Sequence, residues 1–203
     1  MAADFSQGLL ELALAANRDA SAEARGVKLD VFRDDHLRAL APGGRGSIYA
    51  VLGNTLGAFD PGKFPSRLRR LLRPQDRVLF DGELFAGEET LRGYDNPVNR
   101  RFAFAPLAGV GISEADGELR FELQPGANGL HQVTKYFVAA RHLEVHVGGR
   151  RISIAAGEML RMSSSIKYDR RTFEELIERG GFRVERVETS DDGRFLLAAT
   201  APD

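Results

Sequence analysis

The sequence contains no cysteine among its 203 residues, which excludes a disulfide framework, a cysteine-bound zinc site and a thiol nucleophile. Only four histidines are present, and they are scattered along the chain: His36, His131, His142 and His146. We therefore expect no metal site. A cysteine-free composition suits a reducing compartment, and we interpret the protein as cytoplasmic.

An excess of charge of either sign is also missing. Lysine and arginine number 28 and aspartate and glutamate 29, which gives a formal net charge of −1. This balance provides no global attraction to nucleic acid or to an anionic membrane. No apolar run approaches the roughly 20 residues that a membrane-spanning helix needs. We expect neither a nucleic acid nor a membrane as partner.

The apolar N-terminal stretch has no basic region before it, and Asp4 and Glu11 interrupt it, which argues against a signal peptide. An amphipathic helix capped by Ser6 accounts for it better. Further along, "VKLDVF" (27–32), "RGSIYAVLGN" and "DRVLFDGELF" have strand patterns, and helical stretches separate them. This alternation over residues 1–96 predicts an α/β fold with a parallel sheet and crossover helices.

The pattern changes after residue 96. Residues 97–160 contain short alternating strands separated by Gly, Pro and Asn, which predicts an inserted, mostly antiparallel α+β lobe. Residues 161–203 return to the first pattern. A helix with Phe173, Leu176 and Ile177 on one face is followed by two strands joined at "SDDG", which predicts an antiparallel pair that completes the core.

Six blocks occur in a characteristic order along the chain: "DFSQGLLELA", "VLGNTLGAFDP", "RLLRPQDRVLFDGELF", "LRGYDNP", "GEMLRMSSSIKY" and "FEELIERGGF". Together they resemble the histidine-specific methyltransferase family, whose best-known member makes the trimethylated betaine of histidine in ergothioneine synthesis. The resemblance covers essentially the whole chain. It implies a class I methyltransferase (Rossmann-like) fold, S-adenosylmethionine as cofactor, and a small-molecule methyl acceptor such as an amino acid or amine. The inserted lobe matches the substrate-binding lobe of the family.

The resemblance also implies cofactor-binding residues. Asp4 stands where the family places the acid that accepts hydrogen bonds from the ribose hydroxyls, and Asp34 with Asp35 resembles the pair that meets the adenine edge. The family has an aromatic residue in place of Asp35. The loop with Gly53, Asn54 and Thr55 follows the next strand, where Gly53 allows close backbone approach and Thr55 offers a hydroxyl.

One element of the family pattern is missing. Met1 lies only three residues before Asp4, so the strand and the glycine-rich turn that precede this position in the family have no counterpart. We therefore expect a sheet that lacks its first strand and exposes unpaired edges. This departure leaves open a second interpretation, a catalytically impaired fragment or non-catalytic remnant of the family.

The substrate residues depart from the family in part. Tyr94 matches the tyrosine that contacts the substrate, and it is also the candidate catalytic residue. Ala58 stands where the histidine enzymes carry an asparagine. In the run Ser163, Ser164 and Ser165, Ser163 replaces a glutamate that meets the imidazole, and Ser165 matches the family serine. A pocket without these partners is expected to bind histidine poorly, which predicts a different acceptor.

The resemblance implies direct displacement, in which Tyr94, Ser163 and Ser165 orient the acceptor and Glu83 is a candidate proton acceptor. Structural interpretations stay open for some of these residues: the serines as the N-cap of the following helix, and Tyr94 as a half-buried aromatic at the lobe junction. A nicotinamide dehydrogenase on a similar sheet is disfavoured because no GxGxxG motif follows a strand.

Overall fold

A computed structural model of the chain describes residues 1–19, 23–40, 46–58, 60–124 and 126–203. Within these ranges the α-helices are α1 (Gln7–Ala16), α2 (Asp34–Arg38), α3 (Phe64–Arg69), α4 (Glu88–Tyr94), α5 (Pro97–Ala108) and α6 (Arg170–Arg179). The strands are β1 (Ala2–Asp4), β2 (Gly26–Lys28), β3 (Ile48–Val51), β4 (Arg77–Glu83), β5 (Gly117–Gln124), β6 (Leu130–Ala139), β7 (Leu143–Val147), β8 (Arg150–Ile154), β9 (Met159–Tyr168), β10 (Phe182–Thr189) and β11 (Phe195–Pro202). The described residues contain no helix long and apolar enough to cross a membrane.

The main sheet has the strand order β10-β11-β4-β3. β3 and β4 are parallel, and β11 runs antiparallel to both β4 and β10. The parallel pair and the antiparallel closing pair that the sequence predicts are therefore both present. The predicted apolar face of α6 packs on this sheet, where Phe173 and Ile177 are fully buried beside Val78 and Phe80 of β4.

A second, two-stranded sheet is separate from the main one. β1 and β2 pair in parallel, and no ladder joins β1 to β3 in the part of the chain that the structure describes. Met1, Ala3 and Asp4 on one side and residues 47–52 on the other line a cleft of about 440 Å³. This cleft separates β1 and β2 from the main sheet.

The predicted strand over residues 27–32 is shorter in the structure, because β2 ends at Lys28. The Asp30 carboxylate accepts a hydrogen bond from the Phe32 amide, and the Asp30 amide donates to Nδ1 of His36. These local bonds turn the chain away from the extended conformation.

The lobe contains a three-stranded antiparallel sheet, β5-β6-β9, and the hairpin β7-β8. Its small core joins Leu107 of α5 and Phe137 of β6 to residues of the hairpin. β9 continues from Met159 to Tyr168, across the predicted boundary at residue 160, and ends beside β4 through a bridge between Leu84 and Tyr168. The lobe sheet therefore reaches the main sheet.

The three serines lie within β9, so their interpretation as a helix N-cap is wrong. The N-cap position of α6 is Asp169. The register of β9 against β6 decides where each serine faces, since residues of a strand alternate between the two faces of a sheet.

Candidate functional site

The first part of the site lies where β1, β2 and β3 end. Asp4 ends β1, Asp30 follows β2 by two residues, and Thr55 follows β3. All three line a cavity of about 510 Å³ together with the apolar side chains of Leu29, Val31 and Phe32. Asp4 and Thr55 also line the cleft between the two sheets. Carboxylates beside an apolar surface suit a ligand with hydroxyls and an aromatic ring.

The structure does not bring Asp34 and Asp35 to this cavity. Both lie in α2, where Asp34 pairs with Arg67 and Asp35 with Arg33. The hydrogen bond from Arg67 lowers the pKa of Asp34, and that from Arg33 lowers the pKa of Asp35 to about 2. Of the described acids after β2, Asp30 is the one at the cavity.

Sequence reasoning missed Asp30 because it extended the strand to residue 32 and then took the next acids. Aspartate is a typical turn residue, because its carboxylate can accept a hydrogen bond from the backbone amide two residues later. Asp30 accepts this bond from the Phe32 amide, and this turn-forming property is the signal that could have identified it.

The loop after β3 is held against β4. Gly53 and Asn54 have positive φ angles of 81° and 53°, and their amides donate to the two carboxylate oxygens of Asp81 at 2.7 and 2.8 Å. Gly53 therefore adopts a left-handed backbone conformation, which favours glycine. The Thr55 hydroxyl donates to the Leu52 carbonyl at 2.7 Å.

The Asn54 side chain faces the lobe. Its Nδ2 donates to Oγ of Ser165 at 3.0 Å and to the Ile166 carbonyl at 3.3 Å, and its Oδ1 accepts from the Glu83 amide at 3.2 Å. The residue predicted to bind cofactor thus connects the cofactor-side loop to β9 and β4. The approach is close, because a Cβ on Gly57 would lie 2.6 Å from the Ile166 carbonyl oxygen.

Three residues predicted for the acceptor site meet around a lysine. Nζ of Lys167 donates to Oε2 of Glu83 at 2.5 Å, to the Tyr94 hydroxyl at 2.5 Å and to Oγ of Ser165 at 3.0 Å. The Tyr94 hydroxyl also lies 3.5 Å from Oε2 of Glu83. Lys167 is fully buried and Glu83 is 7% exposed, so this is a buried polar network.

Sequence reasoning missed Lys167 as a site residue. The available signal was its spacing in "SSSIKY", because residues 163, 165 and 167 fall on one face of a strand.

The other predicted acceptor residues are more exposed. Ser163 lies opposite Lys135 of β6, on the face that also carries Ser165 and Lys167. Ser164 points to the opposite face, where its hydroxyl accepts from Arg161 at 2.8 Å. The structure therefore separates Ser164 from the cluster. Ala58 is exposed at the end of the 3₁₀ turn Thr55–Ala58.

A family model described as histidine-specific methyltransferase, SAM-dependent, matches residues 1–202. The chain belongs to this family. The family depends on S-adenosylmethionine, and the helices and mixed sheets of the chain agree with the predicted α/β fold. No curated protein matches the chain.

Solved structures of other methyltransferases are similar to this histidine-specific methyltransferase family member at low identity. An S-adenosylmethionine-dependent methyltransferase from Clostridium acetobutylicum ATCC 824 is 12% identical, with a TM-score of 0.47 over 98% of this chain and 73% of that chain. The CcbJ methyltransferase from Streptomyces caelestis is 11% identical, with a TM-score of 0.47 over the same shares of the two chains.

The cavity at the carboxyl ends of β1 and β2 fits the adenosine part of the family cofactor. Asp4 and Asp30 would offer carboxylate oxygens to ribose hydroxyls, and Leu29, Val31 and Phe32 would offer an apolar surface to the adenine ring. Among the described residues, no group of three or more His, Cys, Asp and Glu side chains is arranged to hold a metal ion.

Proposed function

We propose that the chain transfers a methyl group from S-adenosylmethionine to a nitrogen or oxygen of a small acceptor, an amino acid or an amine, in the cytoplasm. The observation that carries this proposal is the joining of two polar sites through one residue. Asn54 belongs to the loop beside the cofactor-side cavity, and its side chain bonds Ser165 of the Lys167 cluster.

The cofactor contributes an electrophilic sulfonium methyl group. Asp4 and Asp30 would hold its ribose, and Thr55 borders the same cavity. The acceptor lies against Tyr94 and Ser165, which orient its nucleophilic atom for in-line attack. When bound, S-adenosylmethionine would supply the methyl group from its sulfonium sulfur to this atom and would leave as the neutral thioether S-adenosylhomocysteine. An N–H or O–H proton then leaves to solvent.

We infer a positioning role for Glu83 in place of the predicted role of proton acceptor. Its carboxylate already accepts a hydrogen bond from the Lys167 ammonium at 2.5 Å. Glu83 and Lys167 together position the Tyr94 hydroxyl, because Lys167 bonds both groups. We therefore interpret Glu83 and Lys167 as positioning residues and Tyr94 as the residue that contacts the acceptor.

The absence of a polar side chain at Ala58 and of a carboxylate at Ser163 supports an acceptor other than histidine. A site built for hydrogen bonds to a ligand discriminates strongly against ligands that cannot form them. A site that lacks these hydrogen-bonding groups should in the same way bind histidine poorly.

The test is a methyl-transfer assay with the full chain, methyl-labelled S-adenosylmethionine and a panel of amino acids and amines, with products identified by mass spectrometry. We expect a labelled small-molecule product, and we expect Tyr94→Phe to lower kcat/KM about tenfold, the effect of losing one hydrogen bond of about 1.4 kcal/mol. Tyr136→Phe is the matched control, because Tyr136 lies on the opposite face of β6 from Lys135. Binding of cofactor without any product would support the non-catalytic remnant instead.

A further inference from the structure

Lys135 is a second lysine beside Tyr94. It lies in β6 directly opposite Ser163 of β9, and its side chain is on the sheet face that carries Ser165 and Lys167. Lys135 is only 8% exposed. Its Nζ lies 5.3 Å from the centroid of the Tyr94 ring and 5.4 Å from that of Phe102.

The two lysines differ in how their charges are matched. Lys167 has three oxygen acceptors for its three N–H donors, and one of these is the Glu83 carboxylate. Among the described residues, no oxygen accepts a hydrogen bond from Nζ of Lys135 and no carboxylate pairs with it; its contacts are with the faces of two rings. A cation–π contact is weaker than an ion pair that includes hydrogen bonds.

A buried cation without a carboxylate is unfavourable, since burial removes its hydration. Burial and the neighbouring Lys167 lower the pKa of Lys135 accordingly. The charges of Lys135, Lys167 and Glu83 leave one surplus positive charge beside Tyr94. An anionic ligand at this position would relieve both the desolvation of Lys135 and its repulsion from Lys167.

We propose that Lys135 determines acceptor specificity by binding a carboxylate of the acceptor, with Ser163 as a second donor. This proposal rests on the proposed function and names the chemical class of its substrate. The single surplus charge fits a monoanionic carboxylate. A phosphate dianion would need further cations, and the other lysine of the cluster is already neutralised by Glu83.

The position of Lys135 beside Tyr94 would place a bound carboxylate close to the residues that orient the reacting group of the acceptor. Both lysines contact the Tyr94 ring, with Nζ of Lys135 at 5.3 Å and Nζ of Lys167 at 4.7 Å from its centroid. Phe102 contacts Lys135 and is 73% exposed, so the proposal has the acceptor approach Lys135 from the Phe102 side. An acceptor that enters there and pairs with Lys135 places its amine or hydroxyl beside Tyr94 and Ser165.

The test compares amino acids with their methyl esters as acceptors, because the ester keeps the shape of the acid and removes its charge. For the wild-type chain we expect the acid of the best acceptor to have a KM at least about tenfold below that of its ester. In Lys135→Met the KM of the acid rises at least about tenfold while that of the ester stays unchanged, and Lys135→Arg restores part of the preference for the acid.

Lys63→Met is the matched control, because Lys63 is exposed and pairs with Asp60, and it should leave both KM values unchanged. The acid and ester comparison in the wild-type chain needs no variant, so it stands even where Lys135→Met fails to fold. Equal KM values for acid and ester, or a Lys135→Met variant that changes both alike, would overturn the carboxylate assignment. Binding of S-adenosylmethionine, measured by calorimetry on the same samples, reports on the proposed function separately.

Discussion

Lys167 is the residue on which the proposed acceptor site depends. It is buried without exposure, and its ammonium bonds a carboxylate from β4, a hydroxyl from α4 and a hydroxyl from its own strand. A buried ion pair adds little net stability compared with apolar residues of the same shape, but removal of one partner leaves the other charge unpaired. Loss of Lys167 should therefore lower the stability of the fold as well as disturb the position of Tyr94.

Lys167→Met is expected to lower the free energy of unfolding by about 3–5 kcal/mol, because it leaves the Glu83 carboxylate buried and unpaired. Urea denaturation followed by circular dichroism measures this loss. The double variant Lys167→Met with Glu83→Gln should recover part of it, since the remaining group is neutral. Lys63→Met, at an exposed position, should change stability by no more than about 0.5 kcal/mol. A loss below 1 kcal/mol in the single variant would contradict the buried pair.

At the scale of secondary structure, the 3₁₀ turn Thr55–Ala58 couples the cofactor-side loop to the lobe. Gly57 is buried there, and a Cβ at this position would lie 2.5 Å from Nδ2 of Asn54 and 2.6 Å from the Ile166 carbonyl oxygen. Contacts this short require the turn to move away from β9. The bond between Asn54 and Ser165 is the contact that such a movement would break.

Gly57→Ala is therefore expected to lower the free energy of unfolding by about 1–3 kcal/mol, the usual cost of overpacking, and to raise the acceptor KM. The matched control is Gly62→Ala, where the nearest atom to an added Cβ is Oδ1 of Asp60 at 3.5 Å, an ordinary contact. Thermal unfolding and steady-state kinetics measure the two effects. A Gly57→Ala variant with wild-type stability and KM would show that the turn is not packed against β9 as described.

The turn before β5 gives a pH-dependent contribution within the lobe. Asp116 accepts hydrogen bonds from the amide and hydroxyl of Ser113 and from Arg141, and these bonds lower its pKa. Because the folded-state pKa is depressed, the contribution is present above the unfolded pKa of about 3.9 and is lost as the pH falls through the folded value.

Asp116→Asn should accordingly destabilise the chain at pH 7, and the difference from wild type should shrink as the pH falls below about 4. Urea denaturation at a series of pH values measures it. Asp191→Asn, at an exposed turn, is the control. A difference that stays constant between pH 7 and pH 3 would contradict the assigned role of the Asp116 charge.

At the scale of the whole molecule, the sequence predicted the pairing within the main sheet. Apolar runs predicted β3 and β4 as a parallel pair, and the Asp-Gly turn predicted the antiparallel pair β10 and β11. These features are local in sequence. The positions of Asp34 and Asp35 could not be predicted in the same way. Their pairing with Arg67 and Arg33 depends on where α2 begins, and the start of α2 depends on the turn at Asp30.

The Lys167 cluster could not be predicted from local sequence features either. Its members come from β4, α4 and β9, and the residues are separated by as many as 84 positions along the chain. Strand alternation predicts which residues of β9 share a face, but it contains no information on which helix covers that face. Long-range packing therefore decided the site, although the residue types were visible in the sequence.

The arrangement of the two sheets places Asp4 at the centre of the proposed cofactor site. The cleft between β1 and β3 continues to the cavity that Asp4 and Thr55 line, and Asp4 borders both spaces. The chain belongs to a family that depends on S-adenosylmethionine. If this region holds the ribose, the charge of Asp4 matters more for cofactor affinity than any exposed acid elsewhere on the molecule.

Calorimetric titration of S-adenosylmethionine into the wild-type chain, Asp4→Asn and Asp191→Asn tests the cofactor assignment directly. We predict saturable one-to-one binding to wild type and to Asp191→Asn, and an affinity lowered about tenfold or more in Asp4→Asn, the effect of weakening a charge-assisted hydrogen bond to the ribose. Absence of binding to the wild-type chain, or equal affinity of Asp4→Asn and wild type, would contradict the account.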